Sequence, residues 1–171
     1  TDEFYIIQPA IKYYHLQKGK EFIEKEDYYN ELSQNEKRFM QKKLDEKIKG
    51  DMTEQIVIFD TMKSLPASQY FVCKPVFSDN GRQSEYDMLV YDKEENRYWG
   101  FEVKHTENSC YEQEKHIQNE HLREAIDRQY GSRENVAVLY RGVPFVAPSG
   151  TMYFNVTDFM LAVFKYKNME K

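Results

Sequence analysis

The stretch SEYDMLVYDKEENRYWGFEVKHT, residues 84–106, carries two runs of alternating apolar and polar side chains around a charged turn. That pattern is the signature of an antiparallel hairpin. Successive side chains on a strand point to opposite faces. Glu85, Asp87, Leu89 and Tyr91 therefore share one face of the first strand, and Tyr98, Gly100, Glu102 and Lys104 share one face of the second. With 93–96 as the loop, Tyr91 faces Tyr98, Leu89 faces Gly100, Asp87 faces Glu102 and Glu85 faces Lys104. Facing side chains stand roughly 4.5–5.5 Å apart, and like charges in that position destabilise a sheet. Asp87 beside Glu102 therefore calls for a cation. Two acids able to hold Mg²⁺ or Mn²⁺, with Lys104 two positions along, form a constellation suited to phosphodiester cleavage. A slip of one residue would turn Asp87 away and dissolve it. The bland alternative is a surface ion-pair ladder, Glu85 against Lys104, with no metal. Gly100 on this face leaves room for a substrate backbone.

Asp87, a hairpin, and then Glu102-Val103-Lys104 resemble the PD-(D/E)xK nuclease core, in which an acid precedes a hairpin leading to (D/E)-x-K. Tyr86 stands where the motif's proline would be. More narrowly, GDMTEQIVIFDTMKS (50–64) followed by SEYDMLVYDKEENRYWGFEVKHT resembles the C-terminal half of a family of prokaryotic AAA-type ATPases. In that family a glutamate-bearing helix, an E-x-D strand and an E-V-K strand recur in this order. The resemblance spans residue 50 to the C-terminus. It implies a restriction-endonuclease-like α/β fold, a mixed sheet flanked by helices with an αβββαβ core. It also implies Asp87, Glu102 and Glu54 as metal ligands, Glu54 and Lys104 as catalytic partners, DNA or RNA as substrate, and an ATPase domain preceding the chain. A second expectation is an inactive nuclease-fold module that docks DNA or a partner. No G-x-x-x-x-G-K-[ST] occurs, so ATP is not bound here by that route.

The 171 residues suffice for one medium domain with an appendage, read here as a helical extension over 1–50 and the nuclease-like domain over 51–171. A net charge of −5 argues against a broad basic surface for nucleic acid, so binding would be local. Cys73 and Cys110 are too few for a disulfide scaffold or a zinc site and suit a reducing, cytoplasmic setting. No apolar run approaches the roughly 20 residues that span a bilayer. The first residue, Thr1, suggests a piece cut from a longer protein.

Elsewhere, 4–7 reads as a short strand before Pro9, and 11–24 as a weak helix. Tyr13, Tyr14, Tyr28 and Tyr29 could stack on bases, but acidic neighbours favour packing against an adjoining domain. Ser33 to Glu36 has capping-box spacing. It starts a helix with Met40, Leu44 and Ile48 inward and lysines paired with acids outward, broken or bent at Gly50. A second helix, 52–65, stops before Pro66. Residues 69–77 read as a strand that Pro75 marks as an edge, followed by a turn at 78–82. Residues 111–130 read as one polar helix, and His116 and His121 are spaced wrongly for zinc. A buried strand at 135–140, a loop, a strand at 152–156 and a helix capped by Thr157-Asp158, its apolar side chains mostly buried, complete an αβββαββα order from Met52.

Overall fold

A computed structural model describes residues 8–79, 82–108, 114 and 117–169. The expected strand at 4–7, the tip of the 78–82 turn, Cys110 and His116 lie outside these residues. The chain divides into two compact units, Thr1–Phe59 and Asp60–Lys171.

The first unit is helical. Helix α1 (Pro9–Ile23) starts at a proline, whose fixed φ and missing N–H suit a helix's first turn. A short α2 (Asp27–Glu31) and then α3 (Gln34–Ser64) follow. The capping box forms as the spacing predicts. Ser33 N donates to Glu36 Oε2 at 2.8 Å, and Glu36 N to Ser33 Oγ at 3.4 Å. These bonds hold the Glu36 carboxyl below its ordinary range, the Ser33 side-chain bond contributing most. Lys20–Asp45 (2.6 Å), Gln41–Glu24 (3.3 Å) and Lys12–Gln55 (3.4 Å) lay α1 antiparallel along α3.

Gly50 does not break α3, which runs unbroken to Ser64. An interior glycine costs only about 1 kcal/mol relative to alanine. Here the Lys47–Asp51 pair (2.7 Å) and the bond from Thr53 Oγ1 to Lys49 O (2.8 Å) bracket it with helical contacts. The outer lysines pair as expected, Lys42 and Lys43 with Glu46. Tyr29 is buried, whereas Tyr13, Tyr14 and Tyr28 are exposed.

The second unit is built on a six-stranded mixed sheet. Its strands are β1 (Tyr70–Cys73), β4 (Met88–Asp92), β5 (Arg97–Val103), β6 (Ser132–Tyr140), β7 (Phe145–Val146) and β8 (Met152–Asn155), in the order β1-β4-β5-β6-β8-β7. A separate hairpin pairs β2 (Val76–Asp79) with β3 (Arg82–Glu85). β1, β4 and β5 run antiparallel, while β5, β6 and β8 run parallel. Helix α4 (Glu120–Tyr130) forms the crossover from β5 to β6, and α5 (Val156–Met169) follows β8.

The hairpin register is the expected one: Tyr91 pairs with Tyr98, Leu89 with Gly100 and Met88 with Phe101. The sheet is covered on both faces. Leu89, Tyr98, Val136, Val138 and Tyr153 pack with Ile126 of α4, while Phe101 meets Phe159 of α5 at a ring separation of 5.2 Å.

Several expectations change. The 69–77 strand breaks at Lys74-Pro75 into β1 and β2, which belong to different sheets. The polar helix is not continuous over 111–130, since Gln118-Asn119 form a turn before α4. Gly131, at φ 77°, ends α4, where a Cβ would stand 2.3 Å from Asn96 O. The cap of α5 is Asn155, whose Oδ1 accepts from Thr157 N (2.9 Å) and Asp158 N (3.3 Å). Leu161 and Phe164 of α5 are exposed, not buried.

Candidate functional site

Glu102 and Val103 end β5, paired on one side with Val138 and Leu139 of β6, one step past the last β4 pair. Lys104 follows, its N–H donating to Leu139 O at 2.8 Å and extending the parallel ladder by one bond. On the other side of the hairpin the ladder stops at Met88. Asp87 is not a ladder residue facing Glu102; it sits in a bend just before β4.

The cause is Tyr86. Strict alternation would put Tyr86 on the face away from Gly100. Instead its fully buried ring lies over that glycine: a Cβ on Gly100 would stand 2.8 Å from Tyr86 Cδ2 and 2.9 Å from Cε2. The space expected for a substrate backbone therefore holds a tyrosine ring. Glu85 is likewise displaced, ending β3 opposite Val76 instead of facing Lys104.

The three central side chains nevertheless meet. Val103 N donates to Asp87 Oδ2 at 2.8 Å. Lys104 Nζ lies 3.3 Å from Asp87 Oδ2 and 3.1 Å from Glu102 Oε2. Asp87 and Glu102 are buried, 8% and 3% exposed, too deep for a ladder of solvated ion pairs. Burial pulls the Lys104 ammonium toward its neutral form. The charges of Asp87 and Glu102 and their hydrogen bonds outweigh it and hold Lys104 above the ordinary lysine value. Lys104 is thus a cation and a hydrogen-bond donor here, not a base. Among the described residues, Oδ1 of Asp87 makes no hydrogen bond.

Glu54, the fourth expected member, lies on α3 in the first compact unit. Among the described residues no three His, Cys, Asp or Glu side chains group as metal ligands. The donors at hand are the carboxylates of Asp87 and Glu102. Hard oxygen donors of this kind suit Mg²⁺ or Mn²⁺. Mg²⁺ is commonly held by one or two carboxylates with water and substrate completing its shell. The residues fit such an ion.

Sequence reasoning missed a second feature. β6 carries one extra residue opposite the Tyr98/Trp99 step of β5: Tyr98 pairs with Arg133, and Trp99 with Asn135. No glycine marks the bulge, and the continuous apolar run of residues 135–140 starts only after it. Two apolar grooves flank α5, the larger about 460 Å³ and walled by Trp99, Phe101 and Phe159. Among the described residues no helix is long and apolar enough to cross a membrane.

Compared with protein-family models, curated proteins and solved structures, the chain matches none.

Proposed function

We propose that the second unit is a metal-dependent phosphodiesterase of the PD-(D/E)xK nuclease type, acting on DNA or RNA. The observation that carries this reading is the buried cluster in which Lys104 bridges Asp87 and Glu102, at 3.3 and 3.1 Å. Support also comes from the order of elements: helix α3, the antiparallel strands β1, β4 and β5, the crossover helix α4, and the parallel strand β6. With the β2–β3 hairpin set aside as an insertion before Asp87, this order agrees with the αβββαβ succession that the motif resemblance implies.

In this reading Asp87 and Glu102 hold the ion, which supplies Lewis acidity and neutralises phosphate charge when bound. Val103 N fixes the Asp87 carboxylate through Oδ2. Lys104, kept protonated by the two acids, orients the attacking water and donates to a phosphate oxygen as negative charge builds on it.

A second reading, an inactive nuclease-fold docking module, draws on the same contacts. Lys104 and Val103 N already satisfy much of the acid pair, so the cluster can tie the hairpin end to the sheet without an ion.

Melting curves with and without Mn²⁺, run beside cleavage of plasmid DNA and RNA, separate the two. A site ligand at about 100 times its Kd adds roughly 2.7 kcal/mol. The nuclease reading expects a rise in Tm that Asp87→Asn removes, and cleavage that Lys104→Met removes. A flat Tm with no cleavage refutes it and leaves the docking module.

A further inference from the structure

We propose that the second unit carries a binding pocket for a phosphate monoester, separate from the acid cluster and anchored by Arg133 and Arg123. The pocket is a polar cavity of about 400 Å³ lined by Gln118, Arg123, Arg133, Asn135 and Thr151, with Glu120 as the acid among the described lining residues. It lies by the start of β6, in register with Tyr98 to Gly100 of β5. Lys104 lies six residues beyond Tyr98, about 20 Å at roughly 3.3 Å per residue.

The extra residue in β6 creates the pocket's main anchor. Val136 and Val138 face α4, and strict alternation back from them would place Glu134 on that face and Arg133 on the other. The bulge reverses this and sets Arg133 beside Tyr98 in register, on the α4 side. Glu134 turns elsewhere and pairs with Arg97 at 3.3 Å.

On the α4 side the Arg133 guanidinium sits beside the buried Tyr86 hydroxyl and near that of Tyr98. Among the described residues it makes no ion pair, and no hydrogen-bond partner comes within 3.5 Å of the Tyr86 hydroxyl, toward which the guanidinium lies. A half-buried guanidinium without a carboxylate, facing a polar cavity, is a donor fork awaiting an anion.

Arg123 is braced from behind. Its Nε lies 3.5 Å from Asp127 Oδ2, and Asp127 Oδ1 in turn accepts from Tyr98 OH at 2.8 Å. Gln118 Nε2 bonds the buried Thr151 Oγ1 at 3.2 Å and holds the opposite wall. Arg123 is already paired with Asp127, so an anion here draws on the Arg133 charge and on the remaining donors of both guanidinium forks. The volume exceeds what a bare phosphate fills, so the ligand carries an organic group. That group is either a free nucleotide-sized metabolite or the terminal phosphate of a nucleic acid.

Isothermal titration of the whole chain with AMP, and with short oligonucleotides bearing a 5′-phosphate or a 5′-hydroxyl, tests the proposal and separates the sources. Saturable binding of AMP is expected, or of the phosphorylated oligonucleotide alone if the ligand is a nucleic-acid end. Arg123→Ala should weaken it by about tenfold, the loss of roughly one charge-assisted bond. Arg133→Lys, which keeps the charge and loses the fork, should weaken it several-fold with Tm unchanged. Absence of binding by both phosphorylated probes overturns the proposal. Equal binding of the two oligonucleotides without AMP binding, or affinities untouched by both substitutions, overturns it too. The acid-cluster variant Asp87→Asn should leave this binding intact, so the outcome does not depend on the nuclease reading.

Discussion

Gly100→Ala tests whether this glycine makes room for a ligand or for the protein's own core. On an open strand surface the change would stabilise by about 0.4–1 kcal/mol, because alanine restricts the unfolded chain more than glycine does. The new methyl would instead meet Tyr86 Cδ2 at 2.8 Å and Cε2 at 2.9 Å, inside the closest approach of real Cβ atoms. Tyr86 is fully buried between the hairpin and α4, so its ring cannot swing out to solvent. Overpacking of this kind costs about 1–3 kcal/mol, which outweighs the chain-entropy gain and leaves a net loss of about 1–2 kcal/mol. At roughly 2–4 °C per kcal/mol for a chain of this size, Tm should fall by about 2–8 °C. Urea unfolding gives the free energy directly. A cycle with Tyr86→Leu should show coupling, the double variant being about 1 kcal/mol better than the sum of the singles. If Gly100→Ala is as stable as the parent, the ring does not hold that space and the account of why Asp87 leaves the ladder fails.

Lys104→Met should destabilise by about 3 kcal/mol by removing the ammonium that bridges two buried carboxylates; adding Glu102→Gln should recover part of it in chemical denaturation. Gly50→Ala should stabilise α3 by about 1 kcal/mol, read by circular dichroism on heating, because a Cβ there meets open space. Alkaline unfolding should set in above about pH 10. Burial raises Tyr98, and raises Tyr130 to about 12, while Lys104 is also raised, its acidic neighbours outweighing burial. Each such group contributes stability that is full below its unfolded value and lost as pH rises through the folded one. Tyr98→Phe should flatten the loss in a pH series of urea melts. At the acid end, Glu36 is lowered by its Ser33 bonds, so the start of α3 should fray as pH falls through its folded value. Ser33→Ala should remove that dependence in helical ellipticity.

The hairpin register was legible because two signals agreed, alternation in both runs and a four-residue charged turn between them. The buried β6 strand and the capping box were legible for the same reason, each being a local pattern with a local cause. What failed depended on distant contacts. Nothing in 84–87 announces that Tyr86 will cover Gly100, because the space it fills is defined by α4, nearly forty residues on. The bulge at Glu134 is visible only against β5. Gly50 was weighed by its own propensity, whereas the flanking pairs carry the helix through it. Asn155, just before the apolar run of α5, is a readable cap, but Thr157-Asp158 offers the same local signal two residues on. Within the candidate site, Asp87, Glu102 and Lys104 were readable as a trio. Their route into contact was not, since Asp87 arrives from a bend instead of a ladder.

The ends of the sheet carry a consequence for solubility. An unpaired strand edge is a template for intermolecular pairing and aggregation. Here β1 offers four residues, followed at once by Lys74 and Pro75, which lacks an N–H; β7 offers only two. Phe71 and Val146 are exposed on these rims, apolar enough to be sticky. Brevity and a proline, more than charge, are what stop six strands from recruiting a seventh from a neighbouring molecule.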